Sequence, residues 1–211
     1  MYRIEEKQFG RLRYILAVHE SCTDPDTAYP TLLSLHGAGS RGTDISILKG
    51  AAAITNAEKL DIPLRIYAPQ CYADTWFEIF EQLLDFTDFV AASPTTDKNR
   101  LYLTGGSMGG YTAWQLAMTR PELFAALSPV CGGGMYWNAA RLKSIPVHAY
   151  HGALDTTVQV TESINMVTAI NRCGGNAKLT IFPEAATMHG IPPILIPHTG
   201  NGCCSSINNL H

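Results

Sequence analysis

Residues 101–117 read LYLTGGSMGGYTAWQLA, and three local signals meet there. Leu101 to Thr104 is a short apolar run, as a buried strand requires. Tyr111 to Thr119 carries Trp114, Leu116, Ala117 and Met118 and closes at Arg120-Pro121, which reads as a helix and its stop. Between them stands Gly105-Gly106-Ser107-Met108-Gly109, a G-x-S-x-G corner. A nucleophile on such a corner sits in a strained turn, so small residues must flank it where backbone passes close. The helix that follows aims its N-terminus at Ser107, and the amide of Met108 is placed to stabilise an oxyanion. The bland alternative is a glycine-rich turn with an incidental serine. The strand before the motif and the helix after it favour the nucleophile.

Working outward, short apolar runs recur: Arg11 to Val18 (alternating, as in a half-buried strand), Thr31 to Leu35, Leu64 to Ala68, Phe124 to Leu127, Val147 to Tyr150 and Leu179 to Phe182. Helical spacing appears between them. Phe77 to Ala92 places Phe77, Phe80, Leu83, Leu84 and Val90 on one stripe, and Thr161 to Asn171 does so with Ile164, Val167 and Ile170 before Gly174-Gly175. Strands alternating with helices predict an α/β fold, a mainly parallel sheet with helices on both faces. Such sheets bind ligands beyond the carboxyl ends of their strands, where the Gly- and Asp-containing turns fall.

Two of those turns complete a site around Ser107. His36-Gly37-Ala38-Gly39 ends an earlier strand, and the amide of Ala38 is the second donor that an oxyanion needs. A serine also requires a base, and the base an orienting acid, in the chain order Ser, Asp, His. After Val147 to Tyr150 comes His151-Gly152-Ala153-Leu154-Asp155, which puts Asp155 just past a strand end as the acid; its alternative is a loop Asp capping the next helix. His148 and His151 do not make a metal pair, since residues three apart on a strand point to opposite faces.

Composition bounds the rest. The chain has 211 residues, 46% hydrophobic and 16% charged, which predicts a folded domain rather than a disordered chain. Fifteen basic and eighteen acidic residues are scattered along it, for a net charge of −3, with no basic stripe for a nucleic acid. No apolar run approaches the roughly 20 residues that span a bilayer, and Met1 to Tyr14 lacks the apolar core of a signal peptide. A soluble cytoplasmic protein is the expectation. Of the six cysteines, Cys22, Cys71, Cys131 and Cys173 are scattered and Cys203-Cys204 are adjacent, without metal spacing. Free thiols are expected.

Several motifs together, YPTLLSLHGAG, YAPQC, RLYLTGGSMGGYTAWQLA, PVCGGG, HGALDTTV and LTIFPEA, resemble α/β-hydrolase esterases of the phospholipase/carboxylesterase type, including polyhydroxybutyrate-depolymerase-like enzymes. The resemblance runs from about Arg13 to Ala185. It implies hydrolysis of short- to medium-chain carboxylic esters without metal or organic cofactor, with Ser107 as nucleophile, Asp155 as acid, and the amides of Ala38 and Met108 in the oxyanion hole.

The resemblance stops at Ala186. The family continues with P-E-A-x-H-x-x-W and a terminal helix beginning N-P, whereas here Thr187 stands where the family has its histidine and residues 187–211 have no helical period. His189 is the best histidine available as base, with His198 a weaker candidate. Back-translating Thr187 to Cys204 and reading from the third base of the Thr codon permits H-A-W-D-T-T-Y-S-N-P-A-Y-R-E-W-L-L, the family ending in register. That predicts a one-base change of frame just before Thr187, in the gene or in its recorded sequence. The division is then a hydrolase domain at 1–186 and an atypical tail at 187–211, with the terminal helix missing and an exposed face open to a second copy. Rival readings are a catalytically weakened scaffold or binding protein, and a thioesterase or peptidase on the same fold. The substrate pocket has no motif. Trp76, Phe77 and Tyr136-Trp137 are candidates for its lining.

Overall fold

Apolar runs long enough to be buried on two faces need cover on both, and the chain supplies it by returning each strand through a helix or a loop. The computed structural model describes residues 1–186, which form one eight-stranded sheet. Its strands are β1 (Tyr2–Phe9), β2 (Leu12–His19), β3 (Tyr29–Leu35), β4 (Arg65–Pro69), β5 (Thr96–Gly106), β6 (Ala126–Val130), β7 (Val147–Gly152) and β8 (Ala177–Phe182). Their order is β1-β2-β4-β3-β5-β6-β7-β8. β1 and β2 pair antiparallel as a hairpin, β2 pairs antiparallel with β4, and every remaining pair is parallel.

The helices are α1 (Ala52–Lys59), α2 (Phe80–Ala92), α3 (Met108–Thr119) and α4 (Val160–Arg172). The stripes of α2, α3 and α4 pack on one face around Trp114, Phe86, Leu103 and Met166. On the other face α1 sets Ala53, Ile54 and Ala57 against Leu32, Ile66 and Tyr102. The expected α/β class with helices on both faces is therefore what the chain forms, three against one among the described residues. No described helix is long and apolar enough to cross a membrane.

Several expected boundaries shift, each for a physical reason. β1 escapes the apolar pattern because it is an edge strand carrying Glu5, Glu6 and Lys7, charges that discourage further pairing. β2 is not half-buried: Tyr14 to His19 are all buried, since β1 and β4 flank it and both faces are covered. β6 begins at Ala126 rather than Phe124, and Phe124 packs into the core from the preceding loop. Residues 76–79 form a 3-10 turn before α2, which leaves Phe77 exposed instead of on the helix stripe. On α4 the buried stripe is Ser163, Met166, Val167 and Ile170, and Ile164 faces outward. Helix α1 has too short and too alanine-rich a pattern to register as periodic.

Cys22 and Cys71 are buried thiols, Cys131 is buried at the end of β6, and Cys173 is exposed. Cys203, Cys204 and the rest of the tail, with its frame reading and its face for a second copy, lie outside the described residues.

The α2 face is anchored by Phe86, fully buried among the rings of Phe9, Tyr14, Tyr67 and Phe89. Phe86→Ala is expected to cost about 3–5 kcal/mol of stability, because the surrounding rings are fixed from different elements and collapse poorly. The lowered urea midpoint at unchanged slope measures it.

Candidate active site

β5 runs straight into α3, and the turn between them is one residue, Ser107, at φ 53° and ψ −117°. A non-glycine residue held there costs roughly 1–3 kcal/mol, so its surroundings must enforce it. They do so by backbone contact. A Cβ on Gly105 would lie 2.2 Å from the carbonyl oxygen of Gly109, and one on Gly109 would lie 2.2 Å from that of Leu35. Both outer glycines of the motif are thus required by close approach, as the sequence pattern anticipated. The Ser107 amide donates to Val130 O at 2.9 Å, tying the corner to the end of β6, and Tyr111 N–H donates to Ser107 O at 3.1 Å.

The loop after β3 reaches the same corner. Gly37 lies so close that a Cβ there would be 3.2 Å from Gly106 O and 3.5 Å from Ser107 Cβ. Ala38 opens a short 3-10 turn (Ala38–Ser40), and with Ser107 and Thr157 it lines one cavity of about 570 Å³. His36 pins this loop. Cys71 N–H donates to His36 Nε2 at 2.9 Å, and His36 Nδ1 lies 2.7 Å from Gly37 O. A carbonyl only accepts and an amide N–H only donates, so the ring is neutral with its proton on Nδ1. Trp76 Nε1–H donates to His36 O at 3.1 Å, and the two rings sit 5.0 Å apart. Trp76 is therefore fully buried loop support, not pocket lining.

Asp155 follows β7 and is buried. Its Oδ1 accepts the backbone N–H groups of Thr157 and Val158, each at 2.9 Å. That is a local turn contact ahead of α4, whose N-cap position is Gln159. Thr157 carries the acid loop into the Ser107 cavity. Behind the acid sits His151, fully buried: Nε2–H donates to Val158 O at 2.8 Å, and Nδ1 lies 2.8 Å from Ser163 Oγ, which donates to Gly132 O at 2.9 Å. This bracing of the acid loop was not read from sequence, since it joins β7, α4 and the β6 loop through contacts distant along the chain.

His148 points to the opposite face, stacked on Tyr150 at 4.3 Å and 2.8 Å from Thr180 Oγ1, as the strand period required. The ligand-type atoms of Cys131, His151 and Asp155 lie within 4.8 Å of one another. Both His151 ring nitrogens and Asp155 Oδ1 are already committed to protein groups, so the trio serves the acid loop. His19, the remaining described histidine, bonds Ser21 and Asp61 at the far end of β2. Ser107 and Met108 on one corner, Ala38 after β3 and Asp155 after β7 thus fall on three connections at one edge of the sheet. His189 and His198 lie outside the described residues.

Known proteins match this arrangement. A model of the prolyl oligopeptidase family matches residues 67–138, about a third of the chain. No curated protein sequence matches. A solved thermostable esterase is 31% identical with a TM-score of 0.69 over 86% of this chain and 54% of its own, so the chain spans about half that enzyme's length. A ferulic acid esterase superposes with a TM-score of 0.69 at 14% identity, covering 90% of this chain and 93% of its own. An acylaminoacyl peptidase of Pyrococcus horikoshii does so at 0.66 and 16% identity, covering 92% of this chain and 38% of its own. The chain is an α/β-hydrolase by fold.

Burial holds the His36 imidazole below its ordinary pKa, with Arg41 acting in the same direction against the opposing bond to Gly37. A histidine with a depressed folded pKa binds fewer protons than the unfolded chain, so its contribution is present above the unfolded pKa of about 6.5 and is lost as pH falls below it. Stability is expected to drop between pH 7.5 and 5, with His148, also lowered by burial, adding to that limb. His36→Asn should shrink the pH dependence of the urea midpoint. An unchanged dependence contradicts the assignment.

Proposed function

We propose that this chain hydrolyses carboxylic esters through an acyl-enzyme. The observation that carries this reading is the strained Ser107 corner, opening into a cavity that Ala38 and Thr157 also line. In the proposed cycle Ser107 Oγ attacks the ester carbonyl while a histidine takes its proton. The tetrahedral oxyanion is held by the amides of Ala38 and Met108, and Asp155 orients and stabilises the imidazolium. The leaving alcohol receives the proton, and water repeats the sequence on the acyl-enzyme. No step calls on a metal or a cofactor.

The base is drawn from beyond Ala186. All four described histidines are committed elsewhere, and the chain returns to the acid just before the tail. Ala153 N–H donates to Phe182 O at 2.9 Å and Leu154 N–H to Ala185 O at 3.0 Å, while a Cβ on Gly152 would lie 2.3 Å from Ala186 O. The described residues therefore close beside the Asp155 loop, at Ala186. The one-base change of frame puts a histidine at or next to that point, whereas His189 lies further along. We infer that the frame change supplies the natural base and that the present ending weakens catalysis. The peptidase reading is favoured by the prolyl oligopeptidase match, and the ester reading by the greater identity to the thermostable esterase.

A fluorophosphonate should label Ser107, and Ser107→Ala should abolish labelling. Loss of a triad base leaves only residual catalysis, so a one-base edit restoring H-A-W to a chain without a base is expected to raise kcat/KM on p-nitrophenyl butyrate on the order of 10⁶-fold. If the unedited chain is equally active and His189→Ala silences it, His189 is the base and the frame reading falls.

A further inference from the structure

The active-site edge holds a second cavity, of about 710 Å³, on the α2–α4 side of the nucleophile. Its walls are Phe77 and Phe80, whose rings stack at 6.2 Å, with Met135 and Tyr111. Tyr111 is one helical turn beyond Ser107 and donates its backbone N–H to Ser107 O, so this wall stands one turn from the serine, which itself lines the neighbouring cavity. The floor is the run Gly133-Gly134. A Cβ on Gly133 would lie 2.1 Å from Glu162 Oε2, and one on Gly134 would lie 3.1 Å from Trp114 Cβ. Glycine there lets the loop lie flat on α3 and α4 and leaves the space above it open.

The charge of this lining is one-sided: Glu78, Glu81 and Glu162 border it, and no lysine or arginine does. The Tyr111 phenol is pushed up first by burial and then by the carboxylates of Glu162 and Asp155, so it faces the cavity as a neutral donor. Aromatic walls favour a flat apolar group by stacking, and a carboxylate rim disfavours an anion. A size within the range of small-molecule sites admits a ring with a short linker.

We propose that this cavity is the substrate-recognition subsite and that it takes a neutral aryl or arylalkyl group, rejecting anionic ones. The proposal rests on the serine-hydrolase reading above and names its substrate class. Phe77, half-exposed and outside the core, is the specificity-determining residue. Of the aromatics expected at the pocket from sequence it alone lines this cavity, Trp76 being core and Tyr136 and Trp137 surface rings packed on each other.

The test is protection of Ser107 from a fluorophosphonate by three ketones that mimic the ester carbonyl: 4-phenyl-2-butanone, 2-butanone and 4-(3-oxobutyl)benzoate. It reads binding beside Ser107 in the chain as it stands, without needing turnover. The phenyl ketone should protect at a concentration at least tenfold below butanone, and the benzoate should lose most of that advantage. Phe77→Ala should remove the phenyl advantage over butanone while leaving the urea midpoint unchanged. Equal protection by all three ketones, or a Phe77→Ala variant with the full phenyl advantage, overturns the subsite. No labelling of Ser107 in either the present chain or the one-base-edited chain overturns the hydrolase reading itself, and the subsite with it.

Discussion

The left-handed backbone at Ser107 is the constraint on which the rest of this molecule depends. A side chain at φ 53° is held against its own preference only if every neighbour is fixed. The neighbours here are mostly backbone: Gly109 against Leu35 O, Gly105 against Gly109 O, and the Ser107 amide on Val130 O. These contacts bind the ends of β3, β5 and β6 to the first turn of α3. The helix is locked in turn by Ala113, Trp114, Leu116 and Ala117, all fully buried in the larger core. The strain is thus sustained by a closely packed sheet and helix, and the serine is presented at a cavity that Ala38 and Thr157 also line.

The histidines show how the same site is insulated from its own titratable groups. His36 holds the loop that carries Ala38, and its two bonds fix it as neutral. His151 braces the acid loop from behind through Val158 O, Ser163 and Gly132. Both rings are already committed to protein groups, His36 to Cys71 and Gly37 and His151 to Val158 and Ser163. The proposed cycle therefore looks for its base beyond Ala186, and residues 183–186, which follow β8, fold back over Gly152 and Leu154.

Much of this was legible in sequence because its constraints are local. G-x-S-x-G between a strand and a helix reports a steric requirement acting within five residues, so Ser107, Met108 and the motif glycines were readable. Ala38 and Asp155 were readable because strands of a parallel sheet end at one edge, where short Gly- and Asp-containing turns must converge. What escaped was set by distant partners. β1 is a strand only because β2 offers it a ladder. Ile164 was assigned inward, yet the α4 stripe is rotated by the packing of Met166 on Gly134. Trp76 was a pocket candidate until its indole N–H proved to serve His36 O. His151 gave no signal, because its role exists only once three elements are assembled.

One consequence joins the catalytic corner to recognition. The loop after β6, Cys131 to Gly134, serves both: a Cβ on Gly132 would lie 2.6 Å from the carbonyl carbon of Gly110 in α3, while Gly133 and Gly134 floor the aryl cavity against Glu162 and Trp114. A larger residue at 132 would push α3 and so disturb Ser107, and one at 133 would displace Glu162, whose helix carries the Ser163 that holds His151. Specificity in this loop is therefore mechanically tied to catalysis and has little freedom to change. The opposite wall is different. Phe77 lies on a 3-10 turn whose hold on the core is Trp76 and Ile79, with Phe77 itself facing out. Side chains there can change size and polarity without touching the elbow. The physical division of labour follows: the glycine-rich wall fixes where the cavity is, and the Phe77 wall decides what it accepts.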